Sequence, residues 1–160
     1  MNIALLVIDV QKEYMTEHLG TKVYEHTMIY INETMKLFRG AHCPVIIVRD
    51  ISEGDGPDYA LVDELKHEPG DLEIVKLKGN AFWETNLDHI LKEKGITHVV
   101  LSGTAAEHCI LATYNGALER GYRPMMLQHG VFATHERGLM DLYWNRPLVS
   151  YTALAYMLKK

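Results

Sequence analysis

The sequence has few cysteines, and acidic residues outnumber basic ones. Only Cys43 and Cys109 are present among 160 residues, which argues against a disulfide framework and predicts a reducing, cytoplasmic location. The 16 Lys and Arg residues are scattered among 21 Asp and Glu residues, giving a net charge of -5. Nucleic-acid binding requires clustered basic residues, so we expect no nucleic-acid partner.

Long apolar runs are also missing. The run at 3–8 is of strand length, far below the ~20 residues that a membrane-spanning helix needs. We therefore expect no membrane association. The run ends at Asp9 and lacks the basic segment and small-residue cleavage site of a signal peptide, so none is expected.

What is present is an alternation of strand-like and helix-like segments in a chain that is 48% hydrophobic and 23% charged. We predict one domain over residues 1–160. The predicted strands are 2–10, 43–50, 72–77, 97–103, 122–127 and 147–150. The predicted helices are 24–40, 85–95 with Thr85 as N-cap, 107–121, 135–144 and 152–159, with a short helical turn near 58–66 in a loop over 51–72. This alternation predicts an α/β fold, a three-layer αβα arrangement around a mostly parallel, Rossmann-like sheet.

In such a sheet, ligands bind beyond the carboxyl ends of the strands. Asp9, Asp50 and Lys76 lie at or near the ends of the first three predicted strands, and Cys109 follows the fourth. All four side chains are therefore expected at one crevice.

Cys109 has two interpretations. A free cysteine in an apolar neighbourhood is most often a small buried hydrophobe, which is how we interpret Cys43. Cys109, however, follows a strand and the small-residue loop GTAAE at the start of a predicted helix, where backbone N–H groups would lower the thiol pKa and favour the thiolate. In that interpretation Cys109 is a nucleophile.

Two further groups could support a nucleophilic cysteine. Asp9 ends a buried strand, so desolvation is expected to raise its pKa into a range that suits a general acid and base. Taken alone, it could equally be a turn or capping residue. Lys76 or Lys78 would be the nearby cation, although most lysines are simply solvated.

Several motifs together resemble one known family. The segment LLVIDVQKEYM is similar to the D-x-Q opening of the isochorismatase-like cysteine hydrolases, which include nicotinamidases and N-carbamoylsarcosine amidohydrolases. The segment VKLKGNAFWETNLDHILKEKGITHVVLSGTAAEHC resembles their stretch from a catalytic lysine to the nucleophile. The order and spacing of these motifs carry the resemblance, which covers nearly the whole chain.

The resemblance implies a catalytic triad of Asp9, Lys76 and Cys109. Lys76 is chosen over Lys78 because it lies six residues before the Phe of the motif, Phe82. The family also implies a cis peptide bond between Thr104 and Ala105, with the N–H groups of Ala105 and Cys109 forming an oxyanion hole.

Five residues are predicted to contact substrate: Gln11, Tyr14, Phe82, Trp83 and His108. Gln11 could instead orient the backbone near Asp9, and the sequence does not decide between these roles. For the aromatic residues, packing in the core or at an interface is the alternative.

One departure from the family concerns metal. Several members bind a metal through an Asp-x-His pair after the second strand and a further His, whereas this chain has Asp50 followed by Ser52, with only His67 nearby. Zn²⁺ usually needs three protein ligands or more. We therefore expect neither a metal nor another cofactor.

The resemblance implies a cysteine hydrolase that cleaves a C–N bond of a small amide, carbamoyl or ureido compound through a thioester. Two alternatives remain: an isochorismatase-type vinyl-ether hydrolase, and a catalytically silent or redox-sensing binding protein on the same fold. The family assembles through helices like the last one here, which implies a homo-oligomer.

Overall fold

A six-stranded parallel sheet forms the centre of the protein in the computed structural model, which describes residues 2–159. The strands are β1 (Ile3–Ile8), β2 (Val45–Asp50), β3 (Leu72–Lys76), β4 (His98–Gly103), β5 (Arg123–Val131) and β6 (Leu148–Val149). Their order across the sheet is β3-β2-β1-β4-β5-β6, and every pair is parallel. The predicted α/β fold is confirmed.

Helices connect the strands and cover both faces of the sheet. They are α1 (Lys12–Met15), α2 (Lys22–Gly40), α3 (Leu87–Glu93), α4 (Leu111–Glu119), α5 (Glu136–Asn145) and α6 (Tyr151–Leu158). None of the helices in the described part of the chain combines the length and the apolar character needed to cross a bilayer.

The central strand β1 shows how the two cores arise. All six of its residues are buried, and successive side chains point to opposite faces because a strand has a two-residue period. Ala4, Leu6 and Ile8 pack in a core with side chains of α3, α4 and α5, whereas the alternate residues pack in a second core with α2 and α6. A continuous apolar strand is what burial on both faces requires.

Helix α2 was predicted from apolar residues at helical spacing, and the structure confirms it. Met28, Ile31, Met35 and Phe38 are all buried against the second core. The helix starts after Thr21, whose hydroxyl accepts a hydrogen bond from the N–H of Tyr24 at 3.1 Å, an N-cap arrangement that satisfies one free donor of the first turn.

Several element boundaries differ from the predictions, and two of the differences concern helical segments between β2 and β4. Thr85 is not the N-cap of α3, because the helix begins at Leu87 after Asn86 and the Thr85 hydroxyl instead donates to the carbonyl of Ala81 at 2.6 Å. The helical turn expected near 58–66 is a single 3₁₀ turn over Pro57–Tyr59.

The strand order places a crevice at the carboxyl edge of the sheet. β1 lies between β2 and β4, which is the point where successive connections run in opposite directions and where ligands bind in open α/β sheets. Asp9 follows β1, while Asp50 and Lys76 are the last residues of β2 and β3, and Thr104 follows β4.

Gly103 sits where β4 leaves the sheet, and we predict that it tolerates no side chain. Its φ is +106°, and a Cβ would collide with the carbonyl oxygen of Ile8. Gly103→Ala should lower the free energy of unfolding by roughly 3 kcal/mol or more, because backbone strain and overlap add. Urea denaturation measures this loss.

Gly121→Ala is the matched control. Gly121 has a comparable φ of +83° but nothing within 4 Å of a Cβ, so only backbone strain of about 1 kcal/mol is expected. Equal losses for the two variants would contradict the role assigned to the Ile8 contact.

Candidate active site

Three strand ends and one loop bring the predicted catalytic side chains together. Lys76 pairs in register with Asp50 across β3 and β2, and Asp9 lies just beyond the adjacent end of β1. Ile74 and Lys76 alternate with exposed residues along β3, so the lysine side chain points inward and is 1% exposed. Asp9 adopts a φ of 55°, a left-handed conformation that Asp tolerates better than most residues.

The ammonium group of Lys76 contacts three acceptors. Its Nζ lies 2.5 Å from Asp50 Oδ2, 2.9 Å from Asp9 Oδ2 and 3.4 Å from Cys109 Sγ. An ammonium group has three N–H donors, so this environment satisfies all of them. Lys76 therefore joins the nucleophile candidate to two buried carboxylates.

The charges of this cluster shift the pKa values of its members in different directions. Burial would lower the pKa of Lys76, but the neighbouring Asp9 and Cys109, together with the hydrogen bond to Asp50, raise it above its usual range. Burial raises the pKa of Asp9 to about 6 against the opposing effect of Lys76. Hydrogen bonds from Lys76 and Ser52 outweigh burial at Asp50 and lower its pKa.

The expectation of a resting thiolate at Cys109 is wrong. Burial and the negative charge of Asp9 raise the pKa of the thiol to about 12. The predicted helix start at Cys109 is a π-helical turn over Ala106–Ile110, and the regular helix begins only at Leu111. Cys109 is thus a neutral thiol near pH 7, with a carboxylate beside it.

A cleft of about 670 Å³ opens above this cluster. Asp9, Asp50 and Cys109 line its floor, and two of the predicted substrate-contacting residues, Tyr14 and His108, line its walls. Its remaining lining residues are Glu13, Thr16, Glu17, His18, Ser52, Glu53, Thr104, Ala105 and Thr134.

Gln11 is placed away from the cleft. Its side chain is fully buried, and its Nε2 donates to the carbonyls of Asp50 at 2.9 Å and Tyr59 at 2.6 Å. Its Oε1 accepts from the N–H of Asp50 at 2.8 Å. Because every polar atom of the side chain is engaged, this geometry corrects the substrate-binding prediction and favours the alternative, that Gln11 orients the backbone.

Phe82 and Trp83 are not at the cleft either. Phe82 is buried and stacks on Tyr122 with ring centroids 5.7 Å apart, while Arg120 lies over its ring. Trp83 is 54% exposed and outside the cleft lining. The packing alternative describes Phe82, because its ring packs against Tyr122 and Arg120, two residues that follow α4.

The structure describes one of the two N–H groups predicted to form the oxyanion hole, that of Ala105. The Thr104–Ala105 peptide bond is cis, as the resemblance implies, and Ala105 lines the cleft. Within residues 2–159, the N–H of Ala105 donates no hydrogen bond to the protein, so this group is free to bind a ligand. The role of the Cys109 N–H stays a prediction.

Sequence reasoning missed the part played by three acidic residues. Glu13 and Glu17 in and after α1, and Glu53 after β2, line the cleft. The spacing of Glu13 and Glu17 by four residues is typical of one helix face, although α1 ends at Met15, before Glu17. Asp50 was placed at the crevice correctly, but its contact with Lys76 could not be foreseen.

The residues present do not fit a divalent metal. Within the described part of the chain, the single group of three suitable side chains is Asp9, Asp50 and Cys109, with ligand atoms within 4.8 Å of one another. The Lys76 ammonium contacts all three, and a second cation there would be repelled. His67 is exposed and outside the cleft lining.

Lys76→Met should destabilise the protein severely. The substitution leaves Asp9 and Asp50 buried without their shared cation, a change that typically costs about 3–5 kcal/mol. The free energy of unfolding in urea at pH 7 checks this. The loss should shrink at pH 5, where the carboxylates are more easily protonated.

Lys78→Met provides the control. Lys78 is exposed two residues away, and its replacement should change stability by less than about 0.5 kcal/mol. A similar effect of both substitutions would contradict the central place of Lys76.

Comparisons with known proteins identify relatives in sequence and in fold. A ureidoacrylate amidohydrolase, RutB of Yersinia enterocolitica, is 37% identical over 95 residues, which are 59% of this chain but only 40% of that relative. The N-carbamoylsarcosine amidase of Thermoplasma acidophilum superposes with a TM-score of 0.81 at 27% identity, covering 94% of this chain and 95% of that one.

Another structural neighbour supports the fold alone, because its sequence identity is low. An isochorismatase-like hydrolase of Alkaliphilus metalliredigens has a TM-score of 0.85 at 22% identity and covers 99% of this chain and 100% of that one. The model of the isochorismatase domain family matches residues 3–146. The chain therefore belongs to the isochorismatase domain family.

Proposed function

We propose that this protein is a cysteine hydrolase that cleaves a C–N bond of a small amide, carbamoyl or ureido compound. The observation that carries the proposal is the cluster of Cys109, Asp9 and Lys76 in the cleft floor, with Lys76 Nζ 3.4 Å from Cys109 Sγ and 2.9 Å from Asp9 Oδ2. The names of two relatives, a ureidoacrylate amidohydrolase and an N-carbamoylsarcosine amidase, support this substrate class.

The first half of the reaction moves one proton and forms one bond. Cys109 gives its proton to Asp9 as Sγ attacks the substrate carbonyl, because a thiol with a pKa of about 12 needs a base during attack. Asp9, with a pKa of about 6, is a stronger base than an ordinary carboxylate. Lys76 keeps its charge and stabilises the developing thiolate, and the N–H of Ala105 donates to the oxyanion.

The second half releases both products. Asp9 returns its proton to the departing nitrogen as the C–N bond breaks, leaving an acyl group on Cys109 as a thioester. Asp9 then removes a proton from water, which attacks the thioester, and the C–S bond breaks as Asp9 passes this proton to the departing Cys109 thiolate. Three side chains of complementary type are thus enough for the whole cycle.

We also propose that the chain self-associates in a cytoplasmic setting. Trp144 of α5 and Tyr156 of α6 are 81% and 77% exposed, and covering such aromatic side chains with a second copy of the chain would remove their apolar area from water. Size-exclusion chromatography with light scattering would measure the oligomeric state.

Cys109→Ala should abolish turnover. A panel of primary amides, carbamoyl and ureido compounds is screened for ammonia release, and isochorismate, as a vinyl-ether substrate, is screened for pyruvate release. Loss of the nucleophile should lower kcat/KM about a thousandfold or more.

Cys43→Ala is the control, because Cys43 packs against the second core and not at the cleft. It should retain activity. Turnover of an amide that survives in Cys109→Ala would refute the nucleophile, and turnover of isochorismate alone would establish the vinyl-ether chemistry instead.

The pH profile should reveal Asp9 as the base. kcat/KM should rise with pH and level off above a midpoint near 6, because Asp9 must be ionised before attack and its pKa is about 6. Asp50→Asn should move the midpoint to lower pH, since the Asp50 charge contributes to raising the Asp9 pKa.

The matched control is Glu93→Gln, at the end of α3 and outside the cleft lining. Its midpoint should equal that of the unmodified protein. A profile that is flat between pH 5 and 8, or a midpoint that rises in Asp50→Asn, would exclude Asp9 as the titrating base.

A further inference from the structure

The cleft has a strongly one-sided charge. Five carboxylates line it, and no Lys or Arg is among the described lining residues. The five are Asp9, Glu13, Glu17, Asp50 and Glu53.

The nearby cations do not balance these charges. The ammonium of Lys76 lies beneath the floor and is shared between Asp9 and Asp50. Lys12 forms an ion pair with Asp63, and Arg49 pairs with Asp55 and Glu73, so both cations face acidic groups outside the cleft.

The three outer carboxylates are left to face the cleft. Among residues 2–159, no ion pair engages Glu13, Glu17 or Glu53. Two histidines, His18 and His108, also line the cleft, and burial lowers the pKa of His18, which disfavours a positive charge on that ring.

A buried acceptor at the floor points independently to a ligand. Asp9 is 2% exposed and lines the cleft, yet its Oδ1 accepts no hydrogen bond from the described protein. Buried polar atoms are nearly always hydrogen-bonded. A substrate amide N–H at the floor would supply the missing donor.

The negative field also acts on a neutral group of the wall. Burial, followed by the charges of Asp50, Glu53 and Asp9, raises the pKa of Tyr14 to about 12. An added negative charge in this cleft is therefore disfavoured, whereas an added positive charge is stabilised.

We infer that the cleft selects a small amide with a cationic group, an ammonium or guanidinium, several bonds from the scissile carbonyl. This inference rests on the proposed function and narrows its substrate class. The amide end occupies the floor at Asp9 and Cys109, and the cation lies among Glu13, Glu17 and Glu53. An amide bearing a carboxylate at the same place is rejected.

The test compares three primary amides of similar length: 4-aminobutanamide, pentanamide and succinamate, which are cationic, neutral and anionic. Ammonia release at pH 8 gives kcat/KM for each, and ω-amino amides with two to five methylenes cover the unknown spacing. The best cationic amide should exceed its neutral isostere at least tenfold, and succinamate should be the poorest. Added salt should reduce the preference, because the outer carboxylates are exposed.

Substitutions of the outer carboxylates test whether the preference for the cationic amide arises in the cleft. Glu17→Gln combined with Glu53→Gln should reduce the cationic-to-neutral ratio at least threefold, while Glu93→Gln should leave it unchanged. Equal kcat/KM for the three amides, a preference for succinamate, or a ratio insensitive to the paired substitution would overturn the inference and leave the proposed function intact.

Measuring how the amides bind to the Cys109→Ala variant separates the proposed charge selection from the proposed hydrolase function. Ligand-observed NMR titration of the same three amides measures their affinities without turnover. If the native protein hydrolyses none of them, the proposed function loses its support, and tighter binding of the cationic amide would still uphold the charge selection. Equal affinities in that variant would overturn it.

Discussion

One buried ammonium group holds the floor of the cleft together. The Lys76 Nζ satisfies its three donors on Asp9, Asp50 and Cys109, which come from three different segments of the chain. A cation in a dry site is costly unless it is paired and hydrogen-bonded, so each of the three partners is needed to keep it there. The sheet makes this possible, because neighbouring parallel strands end side by side and deliver two carboxylates to one lysine.

The same contact decides how the nucleophile is held at rest. With two carboxylates and one ammonium, the cluster carries net negative charge before the thiol ionises, and burial adds to the cost of a further anion. The protein therefore stores a neutral thiol next to a carboxylate whose pKa is about 6. In the proposed reaction, ionisation of the thiol is coupled to attack, which restricts reactivity to molecules that reach the floor.

The fold and the floor of the site were predictable from sequence, whereas the walls were not. Buried strands are recognised in the sequence as apolar runs. Parallel strands end at the same edge of the sheet, so the sequence predicted that Asp9, Lys76 and Cys109 lie close together. The thiol state was mispredicted because a five-residue π turn and a neighbouring carboxylate replace a regular helix start. Phe82 and Trp83 were misplaced because an aromatic motif does not reveal which side of a loop faces the ligand.

Gln11 adds a consequence for how this domain can change over time. Its amide forms hydrogen bonds only with main-chain atoms, the N–H and carbonyl of Asp50 and the carbonyl of Tyr59. The loop between Asp50 and Tyr59 is therefore anchored through its main chain. The hydrogen bonds of Gln11 place no requirement on the side chains of this loop. Substitutions between residues 51 and 58 leave the contacts of Lys76 with Asp9, Asp50 and Cys109 in place, so the wall of the cleft can change while its floor stays the same.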